Sequence, residues 1–344
     1  MWTTGARTFL GLGLAAVAML SARPAAAQSA PPPPPLPPAD AVSIWTIQDE
    51  NASLTTSDRL PDRLYANGLR LGWTSREGGA PDFMERIGQA LWGDGRQRIG
   101  VDLTQQIYTP TDTETANPPL NDRPYAGVLL GTVSLIHDSP GARSMLGLGL
   151  GVVGPAALGE TVQNGFHDLI GQNRNLGWDT QLHNEPLIQI TSARTWRLPM
   201  GTIGALETDA LPELTAAVGN LRIYAQTGVT LRVGQGLDSD YGVARVLPGL
   251  TGTDVFQPTR PFAWYVFAGA DGQVVAYDVT LNGNTWQNSR SVNVTPAVAE
   301  LQGGVAIMAY GARLSYTQVV QTQQFQHQKG GPHQVGSLAL SLRF

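Results

Sequence analysis

The last eight residues, Ser337 to Phe344 (SLALSLRF), alternate without a break, with Leu338, Leu340, Leu342 and Phe344 on one side and Ser337, Ala339, Ser341 and Arg343 on the other. A period of two belongs to the β-strand, whose successive side chains leave opposite faces. Stretches of about ten residues with this alternation, the length a tilted membrane strand needs, recur from Val42 onward. Clusters of Gly, Pro, Asn and Asp separate them. The spacing predicts strands over Val42 to Gln48, Asn67 to Ser75, Arg98 to Tyr108, Gly127 to His137, Met145 to Val153 and Leu187 to Trp196. It predicts six more over Arg222 to Val233, Pro261 to Ala270, Gln273 to Leu281, Ala297 to Met308, Gly311 to Val320 and Val335 to Phe344. Residues 202 to 219 are ambiguous, so the total is twelve or fourteen, since a single-chain bacterial barrel has an even count. The same alternation suits a soluble sandwich with one buried face, and the choice falls to other parts of the chain.

The ends make that choice. Residues 1 to 27 combine Arg7, an apolar run from Phe9 to Leu20 and Ala25-Ala26-Ala27, the layout of a cleavable export signal. The run is too short for a membrane helix. Residues 28 to 41, with PPPPPLPP, form an extended tether, since proline lacks the amide donor of helix and central strand. The remaining 42 to 344 form one domain. A closing strand that ends on Phe, behind an export signal, resembles the C-terminal signature of outer-membrane β-barrels of Gram-negative bacteria. The expected fold is therefore all-β, a transmembrane antiparallel barrel of about twelve strands with a short helix packed inside or at the rim.

Composition agrees. Charged residues are 14% of the chain, against roughly 25% in soluble domains, and lipid-facing strand positions explain the shortfall. Without cysteine the chain has no disulfide, thiolate metal site or cysteine nucleophile. A net charge of -5 argues against nucleic acid as partner. Trp73, Tyr108, Trp196, Trp264, Tyr265 and Trp286 fall near strand ends, as interfacial rings or as core. Two segments have helical spacing: Pro81 to Trp92, and Glu160 to Ile170, the latter expected inside the barrel.

On the second helix Gln163 and His167, four residues apart, share a face and can meet one substrate atom or one water. His167 reads as a general base, with water as nucleophile, or as a packing histidine. No Gly-x-Ser-x-Gly elbow is present. Asp49-Glu50-Asn51 offers oxygens to a hard cation or is a solvated turn. Arg123 can hold a phosphate or carboxylate, or clamp a loop. Gly147, Gly149 and Gly151 would let an internal helix approach the wall. His137, His183, His327 and His333 lack partners at ligand spacing.

Taken in order, ENAS, DRLYANGLRLGW, QQIYTPTD, DRPYAG, GVVGPAALGETVQNGFHDLIG and GWDTQLHNEP resemble the outer-membrane lipid A 3′-O-deacylase family, strongly over residues 42 to 198. The resemblance implies a twelve-stranded barrel with an active site between its inner wall and a short helix. It implies Ca²⁺-dependent hydrolysis of the 3′-linked acyloxyacyl chain of lipid A, with histidine activating water and calcium stabilising the oxyanion. Lipopolysaccharide and the outer membrane would be the partners of a monomer. His167 falls on the family's base, Gln163 on its helix glutamine and Asn51 on the asparagine of its Asn-Asp pair, with Asn51 and Glu50 as implied metal contacts. The chain departs from the family at Ala52, Ala66 and Asn173, where an aspartate, a threonine and an acid are expected, and it lacks a loop lysine. Either Asp49, Glu50 or Glu185 replaces the lost oxygens, or the scaffold has kept its base and lost its metal. The rival function is an inactive barrel serving as pore or lipopolysaccharide-binding scaffold.

Overall fold

Alternating strands with one apolar phase must pair at both edges to cross lipid, because an unpaired ladder in hydrocarbon leaves backbone polar groups unsatisfied. The computed structural model describes residues 38–55, 63–247 and 252–344; the export signal and most of the tether lie outside the described residues. Thirteen antiparallel strands are seen there: β1 (Ile44–Asn51), β2 (Leu64–Thr74), β3 (Arg96–Thr109), β4 (Ala126–Ser139), β5 (Ala142–Val153), β6 (Glu185–Trp196), β7 (Leu198–Ile203), β8 (Leu206–Gly219), β9 (Arg222–Gln235), β10 (Phe262–Asp278), β11 (Ala297–Ala309), β12 (Ala312–Gln321) and β13 (His333–Arg343). Each pairs with its chain neighbour, β1 pairs with β13, and β6 reaches past β7 to β8, which closes a twelve-stranded barrel with β7 as a short extra strand. The β1–β13 seam is extended by one residue on each side, where Ser43 and Phe344 exchange backbone hydrogen bonds. By the usual asymmetry of such barrels the end with the tight turns 140–141 and 310–311 faces the periplasm and the opposite end the exterior.

The two phases of the alternation separate cleanly. Trp45, Ile47, Leu69, Leu71, Val101, Leu103, Val133, Leu148 and Leu150 are exposed on the outside. Thr46, Gln48, Arg70, Gln106 and Ser134 are buried within. No described helix is long and apolar enough to cross a membrane.

The lumen is filled by the described parts of the β9–β10 connection, 236–247 and 252–261, which rise from the periplasmic end. Phe256 and Val243 pack in an apolar cluster with Ile44, Phe267 and Met308. Further up, Asp254 takes both terminal nitrogens of Arg70 at 2.7 Å, and Arg70 also holds Asp102 at 2.7 Å. Asp240, fully buried, accepts from Arg232 at 2.6 Å, Arg313 at 3.0 Å and the Tyr265 hydroxyl at 2.9 Å. At the top, Glu50 accepts the backbone N–H groups of Val246 and Leu247, each at 2.7 Å. Buried charges of this kind are tolerated because they are paired. Beside the plug lie two cavities, one of about 240 Å³ lined by Arg70, Asp102, Arg222 and Tyr224, and one of about 410 Å³ nearer the periplasmic end lined by Arg98, Arg143, Arg197 and Asp209.

Three expectations change. Residues 261–270 and 273–281 belong mainly to one strand, β10, whose register runs through Asp271 and Gly272. Asp271 reads as a turn, yet it points into a polar lumen where a carboxylate is acceptable. Conversely 206–219 is a strand, hidden by Asp209, Pro212 and Glu213. The acids face the lumen, and Pro212 sits in the gap where β7 has stopped pairing with β8 and β6 has not begun. The merged pair and the ambiguous segment offset each other, and the barrel has twelve strands. Gly147, Gly149 and Gly151 serve no internal helix, since the facing atoms within the barrel belong to β4.

A filled lumen makes an electrical prediction. In planar bilayers the intact protein should show no steady conductance, and excision of 244–254 should open discrete ion-conducting steps; equal conductance in both would contradict the plug.

Candidate functional site

The apolar phase of the outer wall gives way to polar residues just below the outer rim. On β1 the outward series reads Trp45, Ile47, Asp49, Asn51; on β2, from the membrane outward, Trp73, Leu71, Leu69, Asn67; on β3, Val101, Leu103, Gln105. Asn51 pairs with Asn67, Asn67 with Ile107 and Ile107 with Gly127, so these residues form one row across four strands. Asn67 donates to Asp49 at 2.8 Å, and Gln105 donates to the carbonyl of Ala157 at 2.7 Å. Ala66, Ile107, Tyr125 and Trp178 form a small buried apolar cluster beside the row.

Against the β3 and β4 side of this patch packs α2 (Gly159–Ile170), the helix of the β5–β6 connection; α1 (Asp82–Trp92) lies near the opposite end. Leu158, left-handed at φ 60°, turns the chain into α2. Gly159 then rests on Gly127: a Cβ added to Gly127 would stand 3.0 Å from the Gly159 nitrogen, and one added to Gly159 would stand 3.0 Å from both Gly127 Cα and the Trp178 ring. Gly127 shares its face of β4 with exposed Gly131 and Val133, so this contact is on the outside. The helix is not in the lumen, and the site is against the outer wall rather than the inner one. The lumen is taken by the plug.

At about 3.6 residues per turn α2 has three flanks. Gln163 and His167, 5% and 6% exposed, face the wall with Gly159. Leu158, Val162, Phe166, Leu169 and Ile170 are exposed on a second flank, and Thr161, Gly165 and Asp168 on a third. A soluble surface helix buries its apolar face. Here the apolar flank is open and the histidine covered, the arrangement expected where lipid, not water, bathes the apolar side.

After α2, Gly171 is left-handed and its N–H caps the helix end. The chain then doubles back, and the main-chain oxygen of Asn173 meets His167 Nδ1 at 2.7 Å. A carbonyl only accepts, so Nδ1 is the donor, and in the neutral ring this makes Nε2 the basic nitrogen, the tautomer a general base requires. An acid at position 173 is therefore not needed to orient the ring. Two ties hold the return: Asn164 and Asn175 exchange hydrogen bonds of 2.8 and 3.2 Å, and Arg174 grips Asp168 at 2.8 and 2.6 Å. The hydrogen bonding of Arg174, more than its charge, holds the Asp168 carboxyl below its ordinary range.

The implied metal contacts fare differently. Glu50 points into the lumen, where it also accepts from Tyr65 at 3.1 Å, and is corrected from metal ligand to plug anchor. Glu185 accepts the N–H groups of Thr285 and Trp286 and braces a loop. Asn51 faces the patch, but its Oδ1 already accepts from Ser53 N and Oγ at 2.7 and 2.6 Å. Among the described residues no group of three or more His, Asp or Glu is gathered for a metal. One carboxylate, Asp49, is far from the six to eight oxygens calcium takes. Among the described residues, the donors on this face do not fit a calcium site. Arg123 clamps loops, donating to Gln324 and Thr280 at 2.6 Å each. Residues that spacing missed, Asn67 and Gln105, carried a signal: each breaks the apolar phase near the outer end of its strand, as Asp49 does on β1.

The Gly127–Gly159 contact is directly testable. Gly159→Val should lift α2 from the wall and leave the barrel intact, seen as unchanged heat-modifiable mobility with increased proteolysis within 154–184; unchanged proteolysis would contradict the contact.

A family model described as outer membrane protein LpxR matches residues 12–344. Among solved structures the chain is similar to LpxR from Salmonella typhimurium, with TM-score 0.72 and 20% identity over 88% of this chain and 100% of that one. A second similarity, to the β-domain of the Bordetella autotransporter BrkA, has TM-score 0.42 and 10% identity over 88% of this chain and 99% of that one. No curated protein sequence matches. With its family model matched across nearly the whole chain and the barrel shared, the chain belongs to the LpxR family of outer membrane proteins.

Proposed function

We propose that the protein is a lipid A 3′-O-deacylase, hydrolysing the ester of the 3′-linked acyl chain in the outer leaflet. The observation that carries this reading is the His167 imidazole, fixed by the Asn173 carbonyl and covered by a helix whose other flank is apolar and open. A lipid ester lies between a polar sugar and a hydrocarbon chain, and the wall beneath α2 makes the same transition, from Asp49, Asn67 and Gln105 to Ile47, Leu69 and Leu103. The substrate can approach sideways within the leaflet, its chain never leaving hydrocarbon.

In the proposed reaction His167 Nε2 takes a proton from water as the water oxygen bonds to the ester carbonyl carbon. The tetrahedral oxyanion collapses, the carbon–oxygen bond to the sugar breaks, and the imidazolium returns its proton to the departing sugar oxygen. The products are a fatty acid and a lipid A hydroxyl. Gln163, one turn before His167, orients the water or donates to the oxyanion, and the Asn51 amide nitrogen is a second donor on the same face. No step needs the lumen, and a passive-pore reading runs against the plug.

Mass spectra of lipid A from cells making the protein should show loss of the 3′-linked chain. His167→Ala should lower the rate by about 10²–10⁴, the usual contribution of a general base, and Gln163→Leu by roughly 10² if it serves the oxyanion, with the barrel folded in both. Identical spectra with and without the protein would sink the reading. Because the donor set is poor for a hard cation, hydrolysis by purified protein should persist in EGTA; complete loss restored by Ca²⁺ would overturn that part.

A further inference from the structure

At the other end of the same wall, α1 repeats the three-flanked layout of α2. It sits in the β2–β3 connection and packs on the outside of β3 and β4. A Cβ on Gly88 would come 2.8 Å from the Gln97 amide, and Gln97 donates to the carbonyl of Glu85 at 2.9 Å. Trp92 and His137 have ring centroids 5.4 Å apart, and Trp92, Met84 and Leu91 cluster with Leu135, Ile99 and Leu146 of the wall. Beyond the wall-facing flank the helix splits: Phe83 and Ile87 are 58% and 42% exposed, while Asp82, Arg86 and Gln89 are exposed on the other side.

Two exposed flanks of opposite character need two media. The apolar one continues a surface already apolar, the outward Val101, Leu103, Val133 and Leu148. On β4 the seat of α2 at Gly127 and the seat of α1 at Leu135 are eight residues apart, ~26 Å along the strand, or roughly 20 Å of membrane depth at the usual tilt, close to the height of a barrel's apolar band. The two helices therefore bracket one hydrocarbon layer on one sector of the barrel.

We propose that α1 is an interfacial helix seated on the phospholipids of the inner leaflet, with Phe83 and Ile87 among their acyl chains and Asp82, Arg86 and Gln89 among headgroups and water. It fixes how deeply β3 and β4 sit, and so the height of α2 on the same strands. The proposal rests on the barrel spanning a membrane and stands or falls apart from lipid A hydrolysis.

The cysteine-free sequence allows single nitroxide labels on the full-length protein. Phe83→Cys, Ile87→Cys, Arg86→Cys and Gln89→Cys, all at exposed positions, would be labelled in phosphatidylethanolamine–phosphatidylglycerol vesicles. Leu103→Cys is the lipid reference and Leu120→Cys, on an exposed loop, the aqueous one. Relaxation by oxygen should exceed relaxation by a water-soluble nickel chelate at 83 and 87, as at 103. The order should reverse at 86 and 89, as at 120. Nickel dominance at all four sites would show a helix standing in the periplasm and overturn the proposal. Dipolar broadening at 83 and 87 would show the flank covered by a second copy and overturn it equally.

Discussion

Closure of the ladder between β6 and β8 is the contact on which everything else depends. Once that seam is made, every strand but the short β7 has a partner on both edges, and the chain can present an apolar exterior around a charged interior. The inversion relative to a soluble protein is complete: Arg70, Arg232, Arg245 and Arg313 are buried with their carboxylates, while leucine and isoleucine side chains stand exposed. The plug depends on this closure as well, since its apex is gripped by Glu50, an inward residue of β1. Asp49 and Asn51, on either side of Glu50, face the opposite way, so one short strand end anchors the plug within and lines the candidate site without.

The site uses the exterior as other proteins use a cleft. A helix with its apolar flank in lipid can cover a histidine against the wall, and the wall supplies the polar floor. Two glycines set the distance, and a backbone carbonyl sets the tautomer. The departures at Ala66 and Asn173 take their meaning from this geometry. Ala66 lies in the apolar cluster with Ile107 and Trp178, and the carbonyl of Asn173 does the orienting. What the described residues of this face lack is charge for a hard cation, and for that reason the proposed chemistry rests on imidazole and amides.

Much of the fold was legible because strand alternation is a local property: strands such as 98–108, 127–137 and 187–196 emerge close to their observed bounds. Pro212 and Asp271 misled because their tolerance depends on a missing neighbour and on a polar lumen, facts about partners rather than about the segment. Gln163 and His167 were legible as a pair from helical spacing. The side of the wall they occupy was not, because a three-flanked helix looks alike inside or outside until Gly127 is placed. Glu50 illustrates the same limit. Its acidity suggested a metal, but alternation from Trp45 already assigned it to the inward phase. The polar breaks at Asp49, Asn67 and Gln105 were present in the sequence and become conspicuous only when the strands are in register.

The central claim is that the imidazole works at the outer wall, in contact with lipid. Its most direct test is photo-crosslinking in outer-membrane vesicles with a lipid A analogue carrying an amide in place of the 3′ ester and a diazirine on that acyl chain. Labels on Phe166, Leu69 and Leu103 are predicted. Labels on Arg70, Thr104 and Tyr108, which face the lumen beside them, would contradict the account.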